Sequence, residues 1–293
     1  MSRNRPSLIF LCQNLPPVRR CGSLLILLSL LFLCQISFAD TPKATYTTTK
    51  NIAYLAASDD YQRHQCQLDL YLPENRPGFA TVIWFHGGGL SSGHREFPDL
   101  RNQEIALVSV GYRLSPHATP DEILQDAAAA TAWVLKNIAE HGGDPNKVFI
   151  AGHSAGGYLA TMVGMDARWL QPHGVSPRQL AGIISVSGQV STHFLVKKMR
   201  GDTGPELRLI VDEYAPLYHA AKDLPPICLI LGDRKIEYRN RVEENQLFAT
   251  SLRNLGHSQV EFYEMAGLDH SSVQRGAWIL MPGFIKRTLT AKH

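Results

Sequence analysis

The sequence predicts an α/β architecture: a mostly parallel central sheet with helices on both faces and a small cap insertion. Three observations carry that expectation. Short apolar, β-branched runs alternate with longer stretches of helical spacing from about Gln67 onward, the pattern of strands joined by helical crossovers. One of those runs leads through Gly-x-Ser-x-Gly directly into a helix-like segment. A single stretch, residues 190–224, breaks the alternation and has no clear period, as a cap or loop over one end of the sheet would. With 293 residues, 44% of them hydrophobic and 19% charged, the chain can bury the core of one catalytic-sized domain.

The N-terminal 39 residues stand apart. Arg3, Arg5, Arg19 and Arg20 are their only charges, an apolar run from Cys21 to Leu33 follows, and Ser37-Phe38-Ala39 puts small residues before a candidate cut. This is the layout of a secretory signal peptide, so residues 1–39 are expected to be removed after Ala39 and the remainder to be secreted or periplasmic. The apolar run is shorter than the roughly 20 residues of a membrane-spanning helix, so no stable span is expected after cleavage. Leu33 before Cys34 does not suit a lipoprotein box, and Arg19-Arg20 is a weak hint of twin-arginine export. Removing the segment takes four of the 29 basic residues and none of the 26 acidic ones, leaving a net charge of −1. Without a basic cluster, nucleic acid and anionic membrane surfaces are poor partners for residues 40–293. Only Cys66 and Cys228 remain; Cys228 lies in an apolar run, where a small buried thiol is more ordinary than a disulfide.

Residues 40–66 are polar and Thr-rich at first, and an extended or disordered lead-in is expected there. The domain itself should occupy 67–293, with strands at 67–72, 81–85, 105–111, 148–151, 181–186, 227–231 and 260–264. A helix is expected over 120–140, with Pro120 in its first turn, Asp121 and Glu122 at its positive end and Gly142-Gly143 as its stop. Its Ile123, Ala127, Ala130, Trp133 and Val134 can share one face. Further helices are expected at 243–255, ended by Gly256, and at 273–289, kinked at Pro282.

The chemistry-bearing residues begin with Gly152-His153-Ser154-Ala155-Gly156-Gly157. A strand that turns into a helix within a few residues strains the backbone at Ser154, and glycines on either side let the chain pass itself. The hydroxyl is lifted clear at the strand's end, as a nucleophile requires, and the Ala155 N–H starts the helix facing a developing oxyanion. Earlier, Trp84-Phe85-His86-Gly87-Gly88-Gly89 leaves another buried strand. Its glycines allow backbone amides to approach a carbonyl oxygen, with Gly88 and Gly89 the chosen donors, and no Lys-Ser/Thr follows as a phosphate loop would need. His86 is expected to hold this loop rather than act as a base. Where a strand-turn-helix serine is the nucleophile, the acid and then the histidine follow it in chain order. Of the histidines after Ser154 (His173, His193, His219, His257, His270 and His293), His270 alone lies just after a terminal strand and before the last helix. His257, beside a helix-ending glycine, is expected to be solvated.

Taken together, these motifs resemble the esterase/lipase branch of the α/β-hydrolases. The similarity is to its feruloyl-esterase-like (BD-FAE-like), hormone-sensitive-lipase-like and kynurenine-formamidase-like members. It runs from about Gln67 to the C-terminus and includes Gly111-Tyr112-Arg113-Leu114-Ser115-Pro116, Gly142-Gly143-Asp144-Pro145 and Leu268-Asp269-His270 beside the two glycine motifs. The resemblance implies the α/β-hydrolase fold and acyl transfer without metal or cofactor, in which Ser154 attacks and His270 relays the proton. Many relatives carry the acid three residues beyond the glycine that ends the penultimate strand, and Lys235 stands there. Two carboxylates in that loop remain, Glu237 and Asp233, with Glu237 favoured on placement and Asp233 able instead to bond the loop's own backbone. Asp269, adjoining His270, is set aside because neighbouring side chains diverge. The expected function is hydrolysis of small or carbohydrate-linked carboxylic esters. A formamidase-like amide hydrolase and a noncatalytic binding protein on the same scaffold are the alternatives. Phe194, Leu195 and Val196, followed by Lys197, Lys198 and Arg200, offer little of a greasy lid, so short acyl groups are expected.

Overall fold

The computed structural model describes residues 44–291. The leader expected over residues 1–39, its cut after Ala39, and His293 lie outside the described residues. An eight-stranded sheet forms the centre, in the order β1-β2-β4-β3-β5-β6-β7-β8. Its strands are β1 (Tyr46–Ala53), β2 (Gln67–Pro73), β3 (Phe79–Phe85), β4 (Ile105–Val110), β5 (Gly143–His153), β6 (Gly182–Val186), β7 (Ile227–Leu231) and β8 (Val260–Glu264). From β4 across to β8 every pairing is parallel, while β2 and β1 close one edge antiparallel. Every residue of β3, β4, β6 and β7 is buried, as parallel strands covered on both faces must be.

Helices α2 (Pro120–Asn137), α3 (Ala155–Met165), the short α4 (Ala167–Leu170) and α6 (Arg241–Asn254) pack one face, and α7 (Val273–Thr290) packs the other. Thr119 and Glu122 form a reciprocal capping box at the start of α2, with Pro120 in the first turn. Ile123, Ala127, Ala130 and Val134 are buried on its sheet-facing side, whereas Trp133 is only partly buried. The helix gives way to a 3₁₀ turn over Ile138–His141, closed by Gly142 with φ 88°.

Two expectations are corrected. The Thr-rich lead-in contains β1 and then α1 (Asp60–Gln65), so much of residues 40–66 belongs to the packed unit. Its exposed, β-branched threonines suit an edge strand, which needs backbone pairing on one side and few buried side chains. α7 runs through Pro282, the expected kink position, to Thr290. Proline removes one helical donor, but Ala277, Met281, Phe284 and Ile285 around it are anchored in the core. His257, expected in solvent, is buried with Nε2 3.2 Å from the Pro225 carbonyl. Gly256 turns the chain at φ 89°, and the His257 amide bonds back to Leu252, folding the ring underneath.

Cys66 and Cys228 are both free and buried, and burial pushes the Cys66 thiol up to about 12. Over the C-terminal strand ends, residues 190–224 form α5 (Phe194–Met199), a 3₁₀ turn at Pro216–His219 and loops. The buried Lys197 ammonium ties this stretch together by donating to the carbonyls of Pro205 (2.9 Å), Glu206 (2.6 Å) and Arg208 (2.8 Å).

Candidate active site

Parallel strands end on the same side of a sheet, and five consecutive strand ends converge here. Ser154 follows β5, Gly87 to Gly89 follow β3, Ser187 follows β6, Glu237 follows β7 and His270 follows β8. Ser154 has φ 54° and ψ −117°, a strained conformation for a non-glycine residue, and its amide is held by the Val186 carbonyl at 2.8 Å. The flanking glycines are required by contact: a Cβ on Gly152 would lie 2.3 Å from the Gly156 carbonyl carbon, and one on Gly156 would lie 2.0 Å from Phe85 O.

The Ser154 hydroxyl sits 2.9 Å from His270 Nε2, and His270 Nδ1 sits 2.5 Å from Glu237 Oε1. With Nδ1–H donating to the carboxylate, the Nε2 lone pair faces the serine hydroxyl, the orientation needed to accept its proton. Glu237 is fully engaged. Oε1 also accepts from the Tyr238 amide (2.8 Å), and Oε2 accepts from the Ser187 hydroxyl (2.6 Å) and the Gly232 amide (3.1 Å). Burial pushes this carboxyl up, but the hydrogen bonds from His270 and Ser187 and the nearby imidazole charge outweigh it, bringing the pKa down to about 2. Glu237 is therefore an anion throughout the neutral range.

The other carboxylates are turned elsewhere. Asp233 accepts from the amides of Lys235 (3.0 Å) and Gly267 (2.9 Å), bracing two loops. Asp269 accepts from the amides of Ser271 (3.1 Å) and Ser272 (2.7 Å) ahead of α7. Lys235 is exposed.

On the other side of Ser154, Gly88 (φ 104°) and Gly89 (φ 63°) line the same cavity as Ser154 and His270, and Ala155 is the first residue of α3. A Cβ on Gly88 would fall 2.1 Å from Ser92 O, so this tight turn requires glycine. His86 braces the loop: its ring stacks on Tyr112 at 4.4 Å, Nδ1 lies 2.7 Å from Gly87 O, and burial lowers its pKa to about 4.

Two positioning contacts had no signal in the sequence. Ser187 reaches Glu237 from a different strand, and a serine after a buried strand is unremarkable in isolation. His153 occupies a variable position of Gly-x-Ser-x-Gly, yet its Nε2 lies 2.7 Å from the His270 carbonyl, joining nucleophile turn and imidazole loop across 117 residues. Burial first, then the nearby His270 charge, lowers its pKa to about 4, so a neutral Nε2–H donates that bond. The cavity above these groups is about 700 Å³ and is roofed in part by residues 193–206. Among the described residues no group of three or more His, Cys, Asp or Glu side chains is placed to hold a metal ion. No helix among them is long and apolar enough to cross a membrane.

The model of the BD-FAE family matches residues 68–241, more than half of the chain. The chain belongs to the BD-FAE family. That match takes in the glycine turn, the Ser154 elbow and Glu237; His270 lies beyond it. Curated relatives include the isoprenylcysteine alpha-carbonyl methylesterase of Arabidopsis thaliana, 26% identical over 78% of this chain and 58% of its own length. Esterase LipC of Mycobacterium tuberculosis is 28% identical over 66% of this chain and 51% of its own length. The chain thus spans between half and three fifths of these relatives. Similar solved structures include a truncated carbohydrate esterase from gut microbiota (18% identity, TM-score 0.68, covering 85% of this chain and 98% of that one). Another is esterase B from Lactobacillus rhamnosis (22% identity, TM-score 0.68, covering 84% and 88%). The BD-FAE member described here has the α/β-hydrolase fold.

Proposed function

We propose that this BD-FAE protein is a serine carboxylic-ester hydrolase that works through an acyl-enzyme. The observation that carries the reading is the continuous hydrogen-bond chain from Ser154 Oγ through His270 to Glu237, opening on a cavity. In the forward step Ser154 Oγ attacks the ester carbonyl carbon while His270 Nε2 takes the hydroxyl proton. Glu237 stays ionised and stabilises the imidazolium. The amides of Gly88, Gly89 and Ala155 receive the oxyanion. Collapse of the intermediate expels the alcohol, to which His270 returns the proton, leaving Ser154 acylated. Water, deprotonated by His270, then attacks the acyl carbon and releases the acid and free Ser154.

Small or carbohydrate-linked esters with short acyl groups are the proposed substrates. In support, the cavity is about 700 Å³, and the cap over it is braced by the buried Lys197 rather than built as a greasy lid. Solved structures of a Thermogutta terrifontis esterase of the same fold hold propionate and butyrate. A fluorophosphonate probe tests the chemistry. One equivalent should attach to Ser154, together with turnover of p-nitrophenyl butyrate; absence of both would reject the reading. Export is proposed separately, on the Arg-rich, apolar and small-residue layout of residues 1–39. N-terminal sequencing of the exported protein should begin at or near Asp40, and an intact Met1 in a soluble cytoplasmic fraction would reject it.

A further inference from the structure

Two buried side chains in the wall of the cavity carry donors that the mechanism above leaves without an acceptor. Arg241, at the start of α6, is 4% exposed and lines the cavity with Ser154 and His270. Its Nη1 donates to the Ser187 carbonyl (2.7 Å). Nε lies 3.1 Å from Glu244 Oε1 as an ion pair but lacks hydrogen-bond alignment, and it is buried. Among the described residues Nη2 has no hydrogen-bond partner. His193, just before α5, is 7% exposed and lines the same cavity. Its Nδ1 accepts from the Leu195 amide at 3.2 Å, so the neutral ring carries its proton on Nε2, for which no acceptor is found among the described residues. Burial, and then the charge of Arg241, lowers the His193 pKa to about 3, so the ring is neutral.

We propose that Arg241 and His193 form a donor subsite beside the nucleophile, which selects esters carrying a neutral oxygen acceptor on the part of the substrate that enters this cavity. An ether, hydroxyl or carbonyl oxygen satisfies both donors, whereas a plain alkyl chain leaves them buried and unmade. The surrounding charges decide against a carboxylate. Arg241 is already balanced by Glu244, Glu237 lies close by, and the Lys197 ammonium is spent on three carbonyls. A further anion would add uncompensated negative charge beside two buried carboxylates.

This subsite rests on the ester-hydrolase reading. Its test uses pairs of equal size: p-nitrophenyl methoxyacetate against p-nitrophenyl butyrate for the acyl side, and 2-methoxyethyl acetate against butyl acetate for the alcohol side. Each kcat/KM is divided by the alkaline hydrolysis rate of the same ester. The wild type should favour the oxygen-bearing member of one pair by about tenfold or more. The preference should fall toward one in both His193→Phe and Arg241→Met. Because Arg241→Met also leaves Glu244 unpaired, His193→Phe gives the result that does not depend on that variant's folding. Normalised ratios near one in both pairs, or a preference unchanged in His193→Phe, would overturn the subsite while leaving the hydrolase reading intact. Preference for p-nitrophenyl hemisuccinate over the methoxyacetate would overturn the assignment of a neutral acceptor. No turnover of any ester and no fluorophosphonate labelling would instead remove the reading beneath it, and the subsite with it.

Discussion

Two carboxylates in this protein are buried to the same degree and have opposite prospects. Asp126 on α2 and Glu237 after β7 have side chains 1% and 0% exposed. Asp126 is gripped by Arg113: Oδ2 accepts from the Arg113 amide (3.0 Å) and Nε (2.8 Å), and Oδ1 accepts from Nη2 (2.9 Å). An arginine paired in this way keeps its proton, so the cluster has no proton to exchange. Glu237 instead holds an imidazole, which can accept and return a proton and has a serine hydroxyl at its other nitrogen. Even a cavity does not separate the two regions, since one of about 390 Å³ borders Arg113 and Asp126. What differs is the partner: among the described residues no serine, threonine or cysteine lines that second cavity. Burial and ion pairing mark stability at one end and make chemistry available at the other.

The largest effect that would break this contrast is at the nucleophile. Ser154→Ala should lower kcat by about 10³- to 10⁶-fold while the melting temperature stays within a few degrees of wild type. Retention of more than a tenth of the rate would put the chemistry elsewhere. Next, Glu237→Gln should cost about 10²-fold or more in kcat, because the imidazole loses the anion that orients it. Asp233→Asn, which touches only loop amides, should stay within a few-fold. Reversal of those two outcomes would exchange their roles.

Asp126→Asn addresses the other side of the comparison. It leaves the buried Arg113 guanidinium with only the partly exposed Glu122 as counter-charge (3.0 Å) and should cost up to about 3 kcal/mol in denaturant unfolding, with kcat per folded molecule unchanged. A matching loss of kcat would mean that the two regions are coupled.

A smaller, distributed effect follows from pH. Burial holds His86 and His153 near pKa 4 and His193 near 3, against a usual value of 6.5. The unfolded chain therefore takes up these protons first as pH falls. The stability they contribute is complete above about 6.5 and is lost progressively toward pH 4 and below. Each contributes at most about 1.4 kcal/mol per pH unit across that window. Equilibrium unfolding between pH 7 and 4.5 should show this slope, reduced by one proton in His86→Gln. A flat profile would contradict the buried neutral imidazoles.

Much of the fold was legible in the chain because burial on both faces of a parallel strand leaves a continuous apolar run. β7 and β8 begin and end at the residues expected, and β3 to β6 differ from expectation only at their ends. The edge strand β1 was not legible: its threonines are exposed, and pairing with β2 rather than side-chain burial makes it a strand. At the candidate site, the strain and crowding around Ser154 are local, so Gly152 and Gly156 advertised them. The convergence of Ser154, His270 and Glu237 was only partly visible, through chain order.

By itself the sequence determined the alternating architecture, the glycine-flanked turn and the short set of histidines and carboxylates that could meet it. Each of these depends on neighbours within a few residues. Only the tertiary structure decided which carboxylate faces His270. Asp233 and Glu237 leave the same strand, but the Gly267 amide draws Asp233 outward, while Ser187, Gly232 and His270 together hold Glu237 in. It also decided that His153 braces the His270 loop and that Arg241 and His193 share one wall. Those choices turn on hydrogen bonds between residues far apart in the chain, whose partners meet only when the strand ends are brought side by side.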